Sequence, residues 1–198
     1  MKTKTLLLTF NLWIGIIAMC IAQTTGTFTD PRDGQIYKTI TIEDQMKGTS
    51  VIWMAQNLNY YNSNVTPKCC AYNYDNGYRK NLGLLYSYED AQNACPMGWR
   101  IPSKEEWQNL IDYFKSTYGD KWLESVKSTF GWETKGTNTS GFNVPPGGYF
   151  SEWPGSKLIF VGMGEVTRFW SSSRSERYDS HGSISFSAFS YCTRKSRH

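Results

Sequence analysis

The chain has 198 residues, a formal net charge of +4, 39% hydrophobic residues and 19% charged ones. That length holds one domain with a real core. The small charge, with no basic stripe through the body of the chain, excludes a nucleic-acid binder built on phosphate contacts. Beyond residue 22 no stretch is long and apolar enough to span a bilayer.

The N-terminus carries the secretory order of positive, apolar and small residues. Lys2 and Lys4 precede an apolar run from Leu6 to Ile17, and Ala18 to Ala22 supplies small residues ahead of polar Gln23-Thr24-Thr25. Residues 1–22 are read as a signal peptide cut after Ala22, and the protein as exported, to the extracellular space or cell surface, with the periplasm an alternative. A retained anchor is disfavoured because Thr9 and Asn11 interrupt a short apolar run. Lipidation of Cys20 is disfavoured because Met19 precedes it where a small residue is wanted. Cleavage removes Lys2 and Lys4 and takes the charge from +4 to +2. Cys69, Cys70, Cys95 and Cys192 remain, and in an exported chain they point to disulfides.

Residues 23–34 read as a polar lead-in, with Asp30-Pro31 and Asp33-Gly34 as turn signals, ahead of a single domain over 35–195. Gln35 to Ile42 alternates Ile36, Ile40 and Ile42 with polar residues and predicts a strand. Val51-Ile52-Trp53-Met54 predicts a second, buried strand, and Lys47-Gly48-Thr49-Ser50 a turn that makes the two a hairpin. Tyr60 to Asn81 has little period and reads as a long loop. Tyr86, Tyr88, Ala91, Ala94 and Cys95 fit one face of a short helix stopped by Pro96 and Gly98.

Ser103 with Glu106 three residues on is a capping box. Trp107, Leu110, Ile111 and Phe114 then form one apolar stripe, so the spacing predicts a helix from Ser103 to about Ser116. Gly119 to Phe130 has room for a further helical turn or two, and Gly131 to Pro146 reads as loop. Leu158–Val161, Val166–Ser171 and Ile184–Cys192 read as short strands, and residues 196–198 end a basic tail. Strands, two helices, a long loop and more strands define an α+β fold, the helices packing on short antiparallel strands.

Three segments in this order resemble a known family. They are Val51-Ile52-Trp53-Met54-Ala55-Gln56-Asn57-Leu58, Gly83-Leu84-Leu85-Tyr86 running on to Cys95-Pro96-Met97-Gly98-Trp99-Arg100-Ile101-Pro102-Ser103, and a set comprising Ser140-Gly141-Phe142, Pro146-Gly147-Gly148-Tyr149, Phe169-Trp170-Ser171-Ser172 and Phe189-Ser190-Tyr191-Cys192. Over roughly Asp30 to Lys195 the chain is similar to the Fibrobacter succinogenes major paralogous domain, a family of exported bacterial proteins. The resemblance implies a C-type-lectin-like or formylglycine-generating-enzyme-like fold. It also implies that Cys95, after the first helix, pairs with Cys192 near the end of the chain. For Cys69 and Cys70 a vicinal disulfide, an intermolecular bond and two thiols all stay open.

Catalytic constellations are sparse. The histidines are His181, in the turn Asp179-Ser180-His181-Gly182, and His198 at the end of the chain, and neither is set up to activate a nucleophile. No zinc site is expected, since too few His and Cys remain once Cys95 and Cys192 pair. Calcium needs converging carboxylates, and the segment corresponding to lectin sugar sites, Gly141 to Gly147, offers Asn143 without an acid. Glu89-Asp90 and Glu105-Glu106 lie at helix starts, where the helix dipole favours negative charge. No metal, cofactor or catalytic residue is assigned.

The expectation is therefore a non-catalytic recognition or adhesion module for a glycan or protein at the bacterial surface. The alternatives are a structural subunit of a pilus-like assembly and, disfavoured, a carbohydrate-active or formylglycine-generating-like enzyme. Phe169 and Trp170 read as core. Tyr149, Phe150, Trp153, Arg174 and Tyr178 are the candidates for an exposed ligand-binding patch, because aromatic, Arg and Ser-rich segments suit adaptable recognition.

Overall fold

A computed structural model describes residues 23–44, 49–64, 69–151, 157–173, 186–189 and 192–195. The putting-together of the fold begins in the expected lead-in, which is part of it. Strand β1 (Thr24–Thr29) pairs antiparallel with β2 (Ile36–Asp44), from Thr24↔Thr41 to Thr29↔Ile36. Its threonines explain why: β-branched hydroxyl residues suit a strand whose outer side meets water, and most of β1 is exposed. Strand β3 (Thr49–Met54) pairs with β2 as the hairpin reading requires, and the turn itself, residues 45–48, lies outside the described residues. Ile40 and Ile42 are buried, but Ile36 opens the strand 62% exposed.

The expected loop over 60–81 contains structure. It holds the short strand β4 (Cys69–Cys70), a 3-10 turn at Tyr72–Tyr74 and helix α1 (Asn76–Leu82). The Asp75 carboxylate caps α1 at the Gly77 amide, 2.7 Å away, and Gly83 at φ 74° stops it. Only Leu82 of α1 is buried, which leaves no apolar period to read in the sequence. Strand β5 (Leu85–Tyr86) follows, so Tyr86 belongs to a strand, and α2 (Tyr88–Ala94) starts from its cap Ser87.

Helix α3 (Lys104–Tyr118) carries the anticipated capping box in full, and Leu110 and Phe114 of its stripe are buried. A 3-10 turn at Gly119–Lys121 leads into α4 (Trp122–Val126). Helix α4 supplies the further helical turn anticipated over 119–130, and α1 adds to the helices anticipated. Strands β6 (Gly147–Ser151), β7 (Ile159–Met163), β8 (Phe186–Phe189) and β9 (Thr193–Lys195) complete the described elements. Residues 166–171 do not form the expected strand and contribute the isolated bridge Gly148↔Thr167. The final expected strand divides: β8 joins one sheet, and beyond Cys192 the chain continues as β9 in the other.

The two sheets have the orders β1-β2-β3-β9 and β4-β5-β8-β6-β7, and every strand pair in them is antiparallel. Ile40, Ile42 and Trp53 of the first sheet pack with Leu110, Tyr113 and Phe114 of α3. A second cluster joins Tyr37 and Met54 to Tyr86, Ala91 and Ala94 of β5 and α2, with Trp99 and Trp170. A third gathers Tyr72, Leu82, Leu85 and Phe150 under the second sheet. The molecule is mixed α+β with small antiparallel sheets.

The disulfide Cys95–Cys192 forms as the resemblance implies and closes a separation of 97 residues. Around it the segment after Cys192 is held to the middle of the chain. The Met54 amide donates to the Cys192 carbonyl at 3.0 Å, and Thr193 exchanges backbone hydrogen bonds with Arg100. Cys69 and Cys70 are thiols. Alternation along β4 sends Cys69 into the cluster around Tyr86 and Cys70 towards the one around Leu85.

Candidate functional site

Strands β6 and β7 build a sheet whose two faces differ. Their register sets Tyr149 opposite Val161, Ser151 opposite Ile159 and Phe150 opposite Phe160. Directly opposed residues in an antiparallel pair share a face. Phe150 and Phe160 therefore point together, inward, with ring centroids 5.9 Å apart. Tyr72 packs on Phe160 at 5.2 Å.

The opposite face carries Tyr149, Ile159, Val161 and Met163. Ile159 is 51% exposed, Val161 39%, Met163 38% and nearby Val166 38%. A one-sided sheet ordinarily turns polar residues outward; here the outward stripe is aliphatic. The Arg168 guanidinium lies over the Tyr149 ring, 3.7 Å from its centroid, and adds a cation at the edge of the stripe.

Two glycines make this geometry possible. Gly148 and Gly162 have φ of 67° and 73°. A Cβ on Gly148 would stand 2.4 Å from the Val161 carbonyl oxygen, so only glycine lets β6 and β7 approach there. Beside them, Asn73 and Tyr74 hold φ of 52° and 59°. For a bulky residue such as Tyr74 that backbone costs energy. Tyr74 is 61% exposed and its ring meets Phe160 edge-on at 5.2 Å.

Of the sequence-derived candidates, Tyr149 lies half-buried on the outward face. Phe150 does not belong to a surface patch: it is 4% exposed, because the period-two alternation that turns Tyr149 outward turns its neighbour inward. Trp153, Arg174 and Tyr178 lie outside the described residues, as do His181 and His198. Trp170 is buried at 5% and its indole donates to the Tyr86 carbonyl at 3.0 Å, as a core residue should, with Phe169 packed beside it. Exposed Ile159, Val161, Met163 and Tyr74 are not among the sequence-derived candidates. The signal available for the first three was the charge-free alternation Ile159-x-Val161-x-Met163, which reads equally as core.

Two of the paired carboxylates, Glu106 and Asp90, are committed to helix caps. Glu106 accepts the Ser103 amide at 2.8 Å and accepts from Nη1 and Nη2 of Arg100, at 2.7 and 2.5 Å. Burial pushes the Glu106 carboxyl up, but the Arg100 and Ser103 hydrogen bonds and the Arg100 charge outweigh it and hold it below its ordinary value. Asp90 accepts the Ser87 hydroxyl at 2.6 Å within the cap of α2. Burial, together with the neighbouring Cys69, pushes the Cys70 thiol up to about 12, which is the opposite of what a nucleophile needs. Among the described residues no group of three or more His, Cys, Asp or Glu could hold a metal, and no helix is long and apolar enough to cross a membrane.

Fold and site together define a small mixed α+β domain, closed by a disulfide between its middle and its end, with an aliphatic outer sheet face. The chain belongs to the Fibrobacter succinogenes major domain family, whose model matches residues 46–197. Strands β1 and β2 both precede the matched segment. No curated protein and no solved structure matches the chain.

Proposed function

We propose that the protein is an exported, non-catalytic recognition or adhesion module of the bacterial surface, and that its outward β6–β7 face is what it recognises with. The observation that carries this is the stripe Ile159, Val161 and Met163, each more than a third exposed on a sheet face that water alone would not favour. An aliphatic stripe suits a protein partner better than a glycan, and the Tyr149 ring face that a sugar would stack on is occupied by Arg168. The secretory pattern of residues 1–22 supports export. A C-type-lectin-like fold is part of the proposal. Its support is the order of α2, Cys95, a short extended segment and α3 opening on Glu106, with Cys95 bonded to Cys192.

The test displays the domain on a heterologous bacterium and measures adherence to protein-coated and glycan-coated surfaces. Val161→Glu should abolish adherence to protein without lowering the melting temperature, Glu105→Gln should leave it intact, and chelation of calcium should not matter. Adherence indifferent to Val161→Glu, or turnover of a glycan lost in Glu105→Gln, would contradict the proposal.

A further inference from the structure

The chain contains one Asn-Gly step, Asn76-Gly77. Asparagine is chemically least durable when glycine follows it. Glycine has no side chain to shield its own backbone nitrogen, and its backbone turns freely. That nitrogen attacks the side-chain carbonyl carbon of the asparagine. A C–N bond forms and closes a cyclic imide, and the side-chain nitrogen leaves as ammonia with the proton of the glycine amide. Water then opens the imide at either carbonyl, to aspartate or to isoaspartate. The reaction consumes only water and needs no oxidant.

Asn76 and Gly77 are both exposed, so water reaches the step freely. What restrains it is Asp75. Its carboxylate accepts the Gly77 amide at 2.7 Å, and its carbonyl accepts the Tyr78 amide at 3.1 Å. The attacking nitrogen is thus the very atom that the cap of α1 holds. Helical backbone at Asn76 keeps that nitrogen out of the plane of the ring to be closed, so the turn must open locally before the bond forms.

We infer that Asn76 is a site of self-modification, converted to aspartate and isoaspartate by the Gly77 nitrogen, and that the Asp75 cap sets its rate. Isoaspartate adds a carbon to the backbone between Asp75 and Gly77, so the cap does not re-form in its register. Arg79 of the same helix holds the Asn59 side chain at 2.6 Å and its carbonyl at 3.0 Å. The modified chain loosens this anchor and gains a negative charge beside Asp75.

Peptide mapping by mass spectrometry, over a time course of the exported chain at pH 8, tests it. The wild type should convert at Asn76 about tenfold faster in urea than when folded. Folded Asp75→Ala should convert about fivefold faster than folded wild type, because the cap is gone. Asp75→Ser, which still caps, should stay near the wild-type rate. In urea all three should convert alike, which separates the cap from any effect of the changed neighbour. Gly77→Ala should slow conversion in urea, because its methyl shields the nitrogen. Conversion of Asn76 in urea no faster than that of Asn138 would remove the site. Folded Asp75→Ala at or below the wild-type rate, or Asp75→Ser as fast as the chain in urea, overturns the role of the cap.

Discussion

At Arg32 several interactions converge on one side chain. Its guanidinium bonds the fully buried Asp30 at 2.6 Å, donates to the Ala94 carbonyl at 2.9 Å and lies 3.6 Å from the Tyr60 ring centroid. Ala94 ends α2, where the helix dipole presents negative charge, so the cation is favoured there as well. Burial pushes the Asp30 carboxyl up, but the hydrogen bonds and charge of Arg32 overcome it and hold it below its ordinary value. A depressed folded pKa contributes stability at neutral pH that is lost as pH falls through the folded value. Asp30 and Glu106 both behave this way. The melting temperature should therefore hold near neutrality and fall below roughly pH 4. Arg32→Met leaves Asp30 buried without its partner, and thermal unfolding should show a loss of about 3 kcal/mol.

The Cys70 thiol is a residue-scale case of the opposite sign. With its pKa raised to about 12, native Cys70 should resist iodoacetamide at pH 8 and react once the chain is unfolded. Mass spectrometry of the alkylated peptide reads this directly. The alternation of β4, which sends the two thiols to different clusters, should keep Cys69 and Cys70 from forming a vicinal disulfide in the folded chain.

At the scale of elements, Gly148 decides whether β6 and β7 can pair. Gly148→Ala drives a Cβ towards the Val161 carbonyl in a backbone region that alanine avoids. It should cost about 2–4 kcal/mol by denaturant titration. Ser103→Ala, which removes the cap of α3, should cost about 1 kcal/mol.

How legible an element was depends on where its stabilising contacts come from. Helix α3 announces itself because its cap and its stripe are local. Strand β1 and helix α1 do not, because neither presents an apolar period: most of β1 is exposed, and α1 buries one residue. The outward face of β7 was hidden for a related reason. Alternating Ile, Val and Met describes a buried strand as well as an exposed one, and only the placement of Phe150 and Phe160 against Tyr72 settles which side is core.

At the scale of the molecule, the disulfide ties α2 to the last strand across 97 residues. Closing a loop of that length should stabilise by about 4–5 kcal/mol in the chain-entropy account. Replacing Cys95 and Cys192 together by serine should lower stability by that order in a denaturant titration. Their pairing was legible by resemblance; the clamp at Arg32 that holds the same corner was not, since the groups it reaches beyond Asp30 and Tyr60 are backbone carbonyls some sixty residues away.

The most direct measurement of the outward face as the working surface uses two methionines in one chain. Met163 sits on the stripe at 38% exposure and Met97 stands 96% exposed in the turn after Cys95. Pulsed peroxide oxidation of cells displaying the domain, adherent and dispersed, should show Met163 protected on adherence while Met97 oxidises equally in both. Equal oxidation of Met163 in the two states, with adherence intact, would contradict the account.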